Sequence, residues 1–165
     1  MENQEKAKII ARLQQLDAHA FTAVTGSLQT GMSEVDIANN LREIFTQNGI
    51  NDYWYDVPFN VLIGVKRFQV GLTTSDYQIK SPSPNAILEE GETVYVDFAP
   101  MDPRTGIWGD WSSTCVFRPK TTDFNQVQFL EDMRRLHRQG ISKITAATTG
   151  ADVAQYYLVS HFLNT

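Results

Sequence analysis

The spacing of hydrophobic positions changes period twice along the chain. Over residues 3–29, Ile9, Leu13, Leu16, Ala20, Val24 and Leu28 recur at helical spacing and predict one long helix with a single buried face. "TGMSEVD" breaks that pattern and restarts it. Ser33 is suited to cap a second helix, and Asp36 three residues on completes a capping-box signature. Ile37, Leu41, Ile44 and Phe45 form its apolar face, and Gly49 is its natural stop. From residue 56 the period shortens. "FNVLIGV", "RFQVGL", "ETVYVDF" and "WSSTCVF" are short, β-branched or aromatic, and read as strands. The polar, proline-bearing "TTSDYQIKSPSPNAILEEGE" between the second and third reads as a loop. Helical spacing returns at Phe124 with Val127, Leu130, Met133, Ile141 and Ile144. A last helix is expected after Thr149, with Val153, Tyr157 and Phe162 inward.

The two helical regions resemble each other. "SEVDIANNL" from Ser33 and "TGADVAQYY" from Thr149 align at an offset of 116 residues. Ser33 matches Thr149, Asp36 matches Asp152, Ile37 matches Val153 and Ala38 matches Ala154. A long helix precedes each copy. This suggests a duplicated unit, complete over 1–120 and only begun over 121–165, within a single domain spanning 1–165.

Composition changes this picture little. With 165 residues, 42% hydrophobic and 20% charged, the chain suits one domain with its own core. A net charge of −5 argues against a nucleic-acid or anionic-membrane partner, which would want basic patches. No apolar run is long enough to span a bilayer, and the N-terminus lacks a signal-peptide core. The single Cys115 cannot form an internal disulfide. A cytoplasmic protein is the expectation.

The chemistry gathers in "VYVDFAPMDPRTGIWGDWSSTCVF". On the first strand Val94, Val96 and Phe98 alternate with Tyr95 and Asp97, so Asp97 points away from the apolar face. On the second, Trp108, Asp110, Ser112 and Thr114 share a face. A hairpin through "MDPRTG", with Asp102-Pro103 and Gly106 in its turn, can bring the two carboxylates together. Like charges held close repel, and desolvation adds to the cost. Protonation of one, neutralisation by a cation, or exposure of both would relieve it. Exposure is the ordinary outcome for an Asp pair. Flanking Tyr, Trp and Val favour a divalent cation, for which carboxylate oxygens are hard ligands.

The stretch "LEEGETVYVDFAP…GIWGDWSSTCVF" resembles the pita-bread metallopeptidases, the family of methionine aminopeptidase, Xaa-Pro aminopeptidase and prolidase, with creatinase as a relative. Their first metal-binding Asp follows "GD-x-V-x-x-D" and their second lies in "G-Y/F-x-x-D-x-T/S-x-T". Gly91 to Asp97 and Gly106 to Thr114 are similar to these. "GMSEVDIANNL" and "LHRQGISKITAATTGADVAQYYL" resemble the helical segments that open the two halves of that fold, so the resemblance spans about residues 5–160. It implies an α+β pita-bread fold, incomplete here. It also implies a dinuclear site of Mn, Fe or Co held by Asp, Asp, His, Glu and Glu. Asp97 and Asp110 would be the first two ligands, and the other three would lie beyond Thr165. The family's substrate-binding loop His has no counterpart, since residues 56–96 contain no His, and Asp76, Tyr77 and Lys80 are the polar residues available. His19, His137 and His161 fall on helical segments, and Cys115 faces the core side of its strand.

Two functions follow from the resemblance. One is a metal-dependent hydrolase of a peptide or related C–N bond, present here as a partial chain that pairs with itself or with a complementing chain. The other is a non-catalytic relative that binds peptides or proteins. In either, the aromatic run holding Tyr53, Trp54 and Tyr55 can line a substrate groove, or it can pack in the core.

Overall fold

The computed structural model describes residues 3–64, 79–120, 122, 124–145 and 148–153. It divides into two compact units, Met1–Lys120 and Thr121–Thr165.

The first unit opens with two helices, α1 (Asn3–Ser27) and α2 (Glu34–Gln47). The capping box forms at Ser33. Its hydroxyl accepts the Asp36 N–H, and the Asp36 carboxylate accepts the Ser33 N–H at 2.8 Å. Asn48 closes α2, and Gly49 follows at φ 76°, a left-handed turn that a side chain would resist. Two sheets follow. Strands β2 (Phe59–Ile63), β3 (Thr93–Phe98) and β5 (Trp111–Val116) form an antiparallel sheet in the order β2-β3-β5. Strands β1 (Asp52–Tyr53) and β4 (Pro100–Met101) pair separately. Part of the expected loop, residues 79–92, is described and contains no strand, although Ile87 bridges to Ser33. The "RFQVGL" segment, Asp76 and Tyr77 lie outside the described residues, as do Tyr157, His161 and Phe162.

Register decides which side chains share a face. Phe59, Val61 and Ile63 stand opposite Phe98, Val96 and Val94, and this face joins the core formed with α1 and α2. Phe45 of α2 is central to that core, 5.1 Å from the Phe98 ring and 5.9 Å from Phe59. The opposite face carries a polar row across all three strands. Asn60 stands opposite Asp97, and Asp97 opposite Ser112. Cys115 pairs with Val94 and packs partly buried against the core.

In the second unit, α3 runs from Phe124 to Ile141, and residues 150–153 are again helical. Val127, Leu130 and Leu136 are half-buried, whereas Met133, Ile141 and Ile144 of the expected apolar set are exposed, as is Phe129. Thr149 and Asp152 repeat the capping box of Ser33 and Asp36.

Candidate metal centre

Asp97 is buried, with 5% of its surface exposed, although it sits on the sheet face opposite the core formed with α1 and α2. Strand alternation puts it there, because its neighbours Val96 and Phe98 occupy the core side. The hydroxyl of Tyr95, two residues back on the same face, donates to Asp97 Oδ2 at 3.1 Å. Across the β2–β3 pairing lies Asn60, 4% exposed, whose Oδ1 is buried and accepts no hydrogen bond.

Asp110 is placed differently. It precedes β5 by one residue, is exposed, and is offset by two residues from the Ser112 that faces Asp97. The connection between the strands is longer than a tight hairpin because it holds β4 and a second turn. Trp108 bridges back to Met101, and Gly109 N–H donates to the Pro100 carbonyl. Asp102 builds that turn. Its buried Oδ1 accepts the Arg104 and Thr105 N–H groups and the Thr105 hydroxyl. Burial raises the Asp102 pKa, but these hydrogen bonds and the Arg104 charge outweigh it and hold the carboxyl below its usual range.

A further carboxylate faces this loop from α1. Asp17 is fully buried, and neither of its oxygens has a hydrogen-bond partner. A Cβ on Gly109 would come within 2.8 Å of Asp17 Oδ2, so the carboxyl occupies the space that the glycine leaves. Burial first, and the charge of Asp110 second, push the Asp17 pKa up to about 7. The helical spacing already puts Asp17 in the stripe of Leu13, Leu16, Ala20 and Val24, so its burial was legible from periodicity. Asn60 carried the same signal as Asp97, a polar residue alternating with Phe59 and Val61 on a strand.

The aromatic run divides. Tyr53 packs edge-on against Phe45 and Phe59, and its buried hydroxyl, unpaired, is pushed up to about 12, chiefly by burial. Trp54 is 57% exposed and stacks on Trp108, 43% exposed, with ring centroids 4.9 Å apart. Tyr55 is half-buried. His19 and His137 are exposed on their helices, and Lys80 is half-buried.

The donors on the sheet face opposite the α1–α2 core are hard oxygens, a carboxylate and an unpaired amide oxygen, with the carboxylate of Asp110 one residue before the next strand. That chemistry fits a divalent cation such as Mg, Mn or Fe(II). Among the described residues no group of three or more His, Cys, Asp or Glu side chains could hold a metal, so this part of the fold supplies a fraction of a coordination sphere.

The model of metallopeptidase family M24 matches residues 8–158. The chain belongs to this family. Solved structures similar to it include the X-Pro aminopeptidase of Thermotoga maritima, at TM-score 0.68 and 15% identity over 96% of this chain and 42% of that one. The prolidase of Pyrococcus furiosus aligns at TM-score 0.70 and 16% identity, covering 94% and 42%. A Xaa-Pro dipeptidase of Bacillus anthracis aligns at TM-score 0.71 and 19% identity, covering 94% and 40%. No match is found among curated proteins. These likenesses place the chain in the pita-bread fold of the M24 peptidases. It spans about two-fifths of the length of those relatives, so the fold is present in part. Among the described residues no helix is long and apolar enough to cross a membrane.

Proposed function

We propose that this chain is part of a metal-dependent hydrolase acting on a peptide or related C–N bond, in which Asp97 and Asp110 are two of the metal ligands. The observation that carries the reading is the setting of Asp97. A metallopeptidase-family sheet holds a nearly buried carboxylate on the face opposite its α1–α2 core, steadied by Tyr95 and set beside an unpaired amide oxygen. A bound Mn, Fe or Co would supply an activated water and polarise the scissile carbonyl. The Tyr95 hydroxyl holds one oxygen of Asp97 and so limits its rotation. Asp110 stands one residue before β5 and two before the Ser112 that faces Asp97, a spacing that supports the pairing. The rest of the ligand set would come from other chain, in the same protein or a second copy. That chain would also cover Phe129 and Met133 of α3, which are exposed here.

Metal analysis tests the reading. Stoichiometric Mn or Fe should co-purify with the full-length protein and be lost in Asp97→Ala. Protein that takes up no ion under saturating Mn would refute it. A second reading, a non-catalytic peptide-binding module, draws support from the exposed Trp54–Trp108 stack, a flat aromatic surface able to pack against an extended peptide. Peptide binding that survives Asp97→Ala but not Trp54→Ala would favour it.

A further inference from the structure

Trp54 and Trp108 form an exposed ring pair that the metal reading leaves unused. Their rings stack with centroids 4.9 Å apart and planes 21° from parallel, so each covers one face of the other and leaves its outer face to solvent. Register explains why both stand outward. Tyr53 turns in against Phe45 and Phe59, so its neighbours Asp52 and Trp54 point to the other side of the strand. Asp52 stands opposite Met101, and Met101 bridges to Trp108, which sets Asp52, Met101 and Trp108 in one row on that outer face. The Trp54 N–H donates to the Ala99 carbonyl at 2.9 Å and fixes the backbone beneath its ring. The two indoles are thus a shelf on paired backbone, and the exposed carboxylate of Asp52 shares its face.

Both parts of this face attract positive charge. An indole presents negative π density on its flat side, and a carboxylate beside it adds to the field. Asp56, also exposed, follows Trp54 by two residues. The loop's own cation, Arg104, acts instead on Asp102, whose carboxyl it helps to hold ionised. Among the described residues the cations that stand over rings are Arg42 on Phe59 and Arg118 on Phe117, and neither is on this pair. We propose that the Trp54–Trp108 shelf, with Asp52 beside it, binds an arginine side chain of an extended peptide. This rests on the reading of the stack as a peptide-contacting surface, and not on the assignment of a metal to Asp97. Two rings stacked on each other make a flat shelf and no cage, so a planar guanidinium suits them better than a compact ammonium.

The test titrates the full-length protein with short, end-blocked alanine peptides that carry one arginine, lysine, glutamine or glutamate. Nuclear magnetic resonance follows the indole N–H signals. The arginine peptide should shift those of Trp54 and Trp108 and leave that of Trp111, whose Nε1 is buried, in place. It should bind about fivefold or more tightly than the glutamine peptide, with lysine between them and glutamate weakest. Asp52→Asn, at an exposed position, should keep the melting temperature and cut the arginine preference about threefold. Equal affinity for the arginine and glutamine peptides, or a preference untouched by Asp52→Asn, would overturn the proposal and leave the peptide reading standing. Binding that shifts neither Trp54 nor Trp108 would overturn it as well. Failure of every peptide to bind would remove both the proposal and the peptide reading of the stack.

Discussion

Two helix starts in this chain have the same hydrogen bonds and different surroundings. At Ser33 the hydroxyl donates to Asp36 Oδ2 at 2.7 Å, the N–H donates to it at 2.8 Å, and the Asp36 N–H returns to the hydroxyl at 3.2 Å. At Thr149 and Asp152 the three distances are the same. Yet Ser33 is buried and Thr149 exposed. The difference lies in the next residue. Glu34 is fully buried, and its carboxylate accepts the Ile63 N–H at 2.9 Å and the Ser83 N–H at 2.8 Å. It ties the cap to β2 and to the segment ahead of β3. That segment is also held by Gly31 N–H to Leu88 O and Leu88 N–H to Met32 O. The second cap has Gly150 in that place. A capping box is local chemistry and forms wherever its residues stand. Anchoring a helix to a sheet needs a side chain able to reach one.

The comparison can be broken at several points. The largest effect is expected from Glu34→Ala. It leaves two backbone donors without their acceptor and should cost about 3 kcal/mol in a urea titration. It should also raise hydrogen exchange at Ile63 and Ser83. A loss no larger than that of a cap substitution would show that the anchor is incidental.

Asp17 sharpens the same contrast within the first unit, because it is a buried acid without Glu34's partners. Its folded pKa, about 7, lies above the ordinary 3.8. Below 3.8 both folded and unfolded chains are protonated there, and Asp17 carries no charge penalty. Between those values the unfolded chain releases a proton that the fold retains, so stability falls as pH rises, and the full penalty is present above about 7. Asp17→Asn should flatten this slope and stabilise the protein at pH 8 by about 2–4 kcal/mol in melts across pH. An unchanged pH profile would mean that the carboxyl finds a partner in solution.

The caps themselves come next. Ser33→Ala should cost about 1–2 kcal/mol, and Thr149→Ala about 0.5 kcal/mol or less, because the second helix start is exposed. Equal losses would argue that burial adds nothing to the first cap. The smallest effect is in acid. Hydrogen bonds from the Ser33 side chain and then its backbone lower the Asp36 pKa, and those from Thr149 do the same for Asp152. Both caps should therefore be intact above the ordinary carboxyl range and weaken as pH falls through it, as read by helical circular dichroism.

Much of this was legible along the chain, and the reason is periodicity. The stripe from Ile9 to Leu28, the Ser33 cap, the alternation of Val94, Val96 and Phe98, and the outward direction of Asp97 all follow from spacing between near neighbours. The Ser33 and Thr149 resemblance was visible for the same reason, since each cap involves four consecutive residues. Spacing also carried Asp17 into the buried stripe, yet it could not supply the fact that nothing there binds it. Other features were set only when distant segments met. The pairing of Asn60 with Asp97 depends on β2 and β3 finding one register across a long intervening segment, and a slip of β2 by one residue would turn Asn60 to the core and leave Asp97 facing another residue. The offset of Asp110 depends on β4 and the Asp102 turn, which lengthen the path between β3 and β5. The conversion of Tyr53 to core and Trp54 to surface depends on Phe45 arriving from α2 and Trp108 from the loop. The sequence by itself determined the elements and the faces they offer, because those obey the geometry of one helix turn or one strand pleat. The tertiary structure alone decided which polar groups meet and which stay unpaired, because that depends on register between strands and on what each helix packs against.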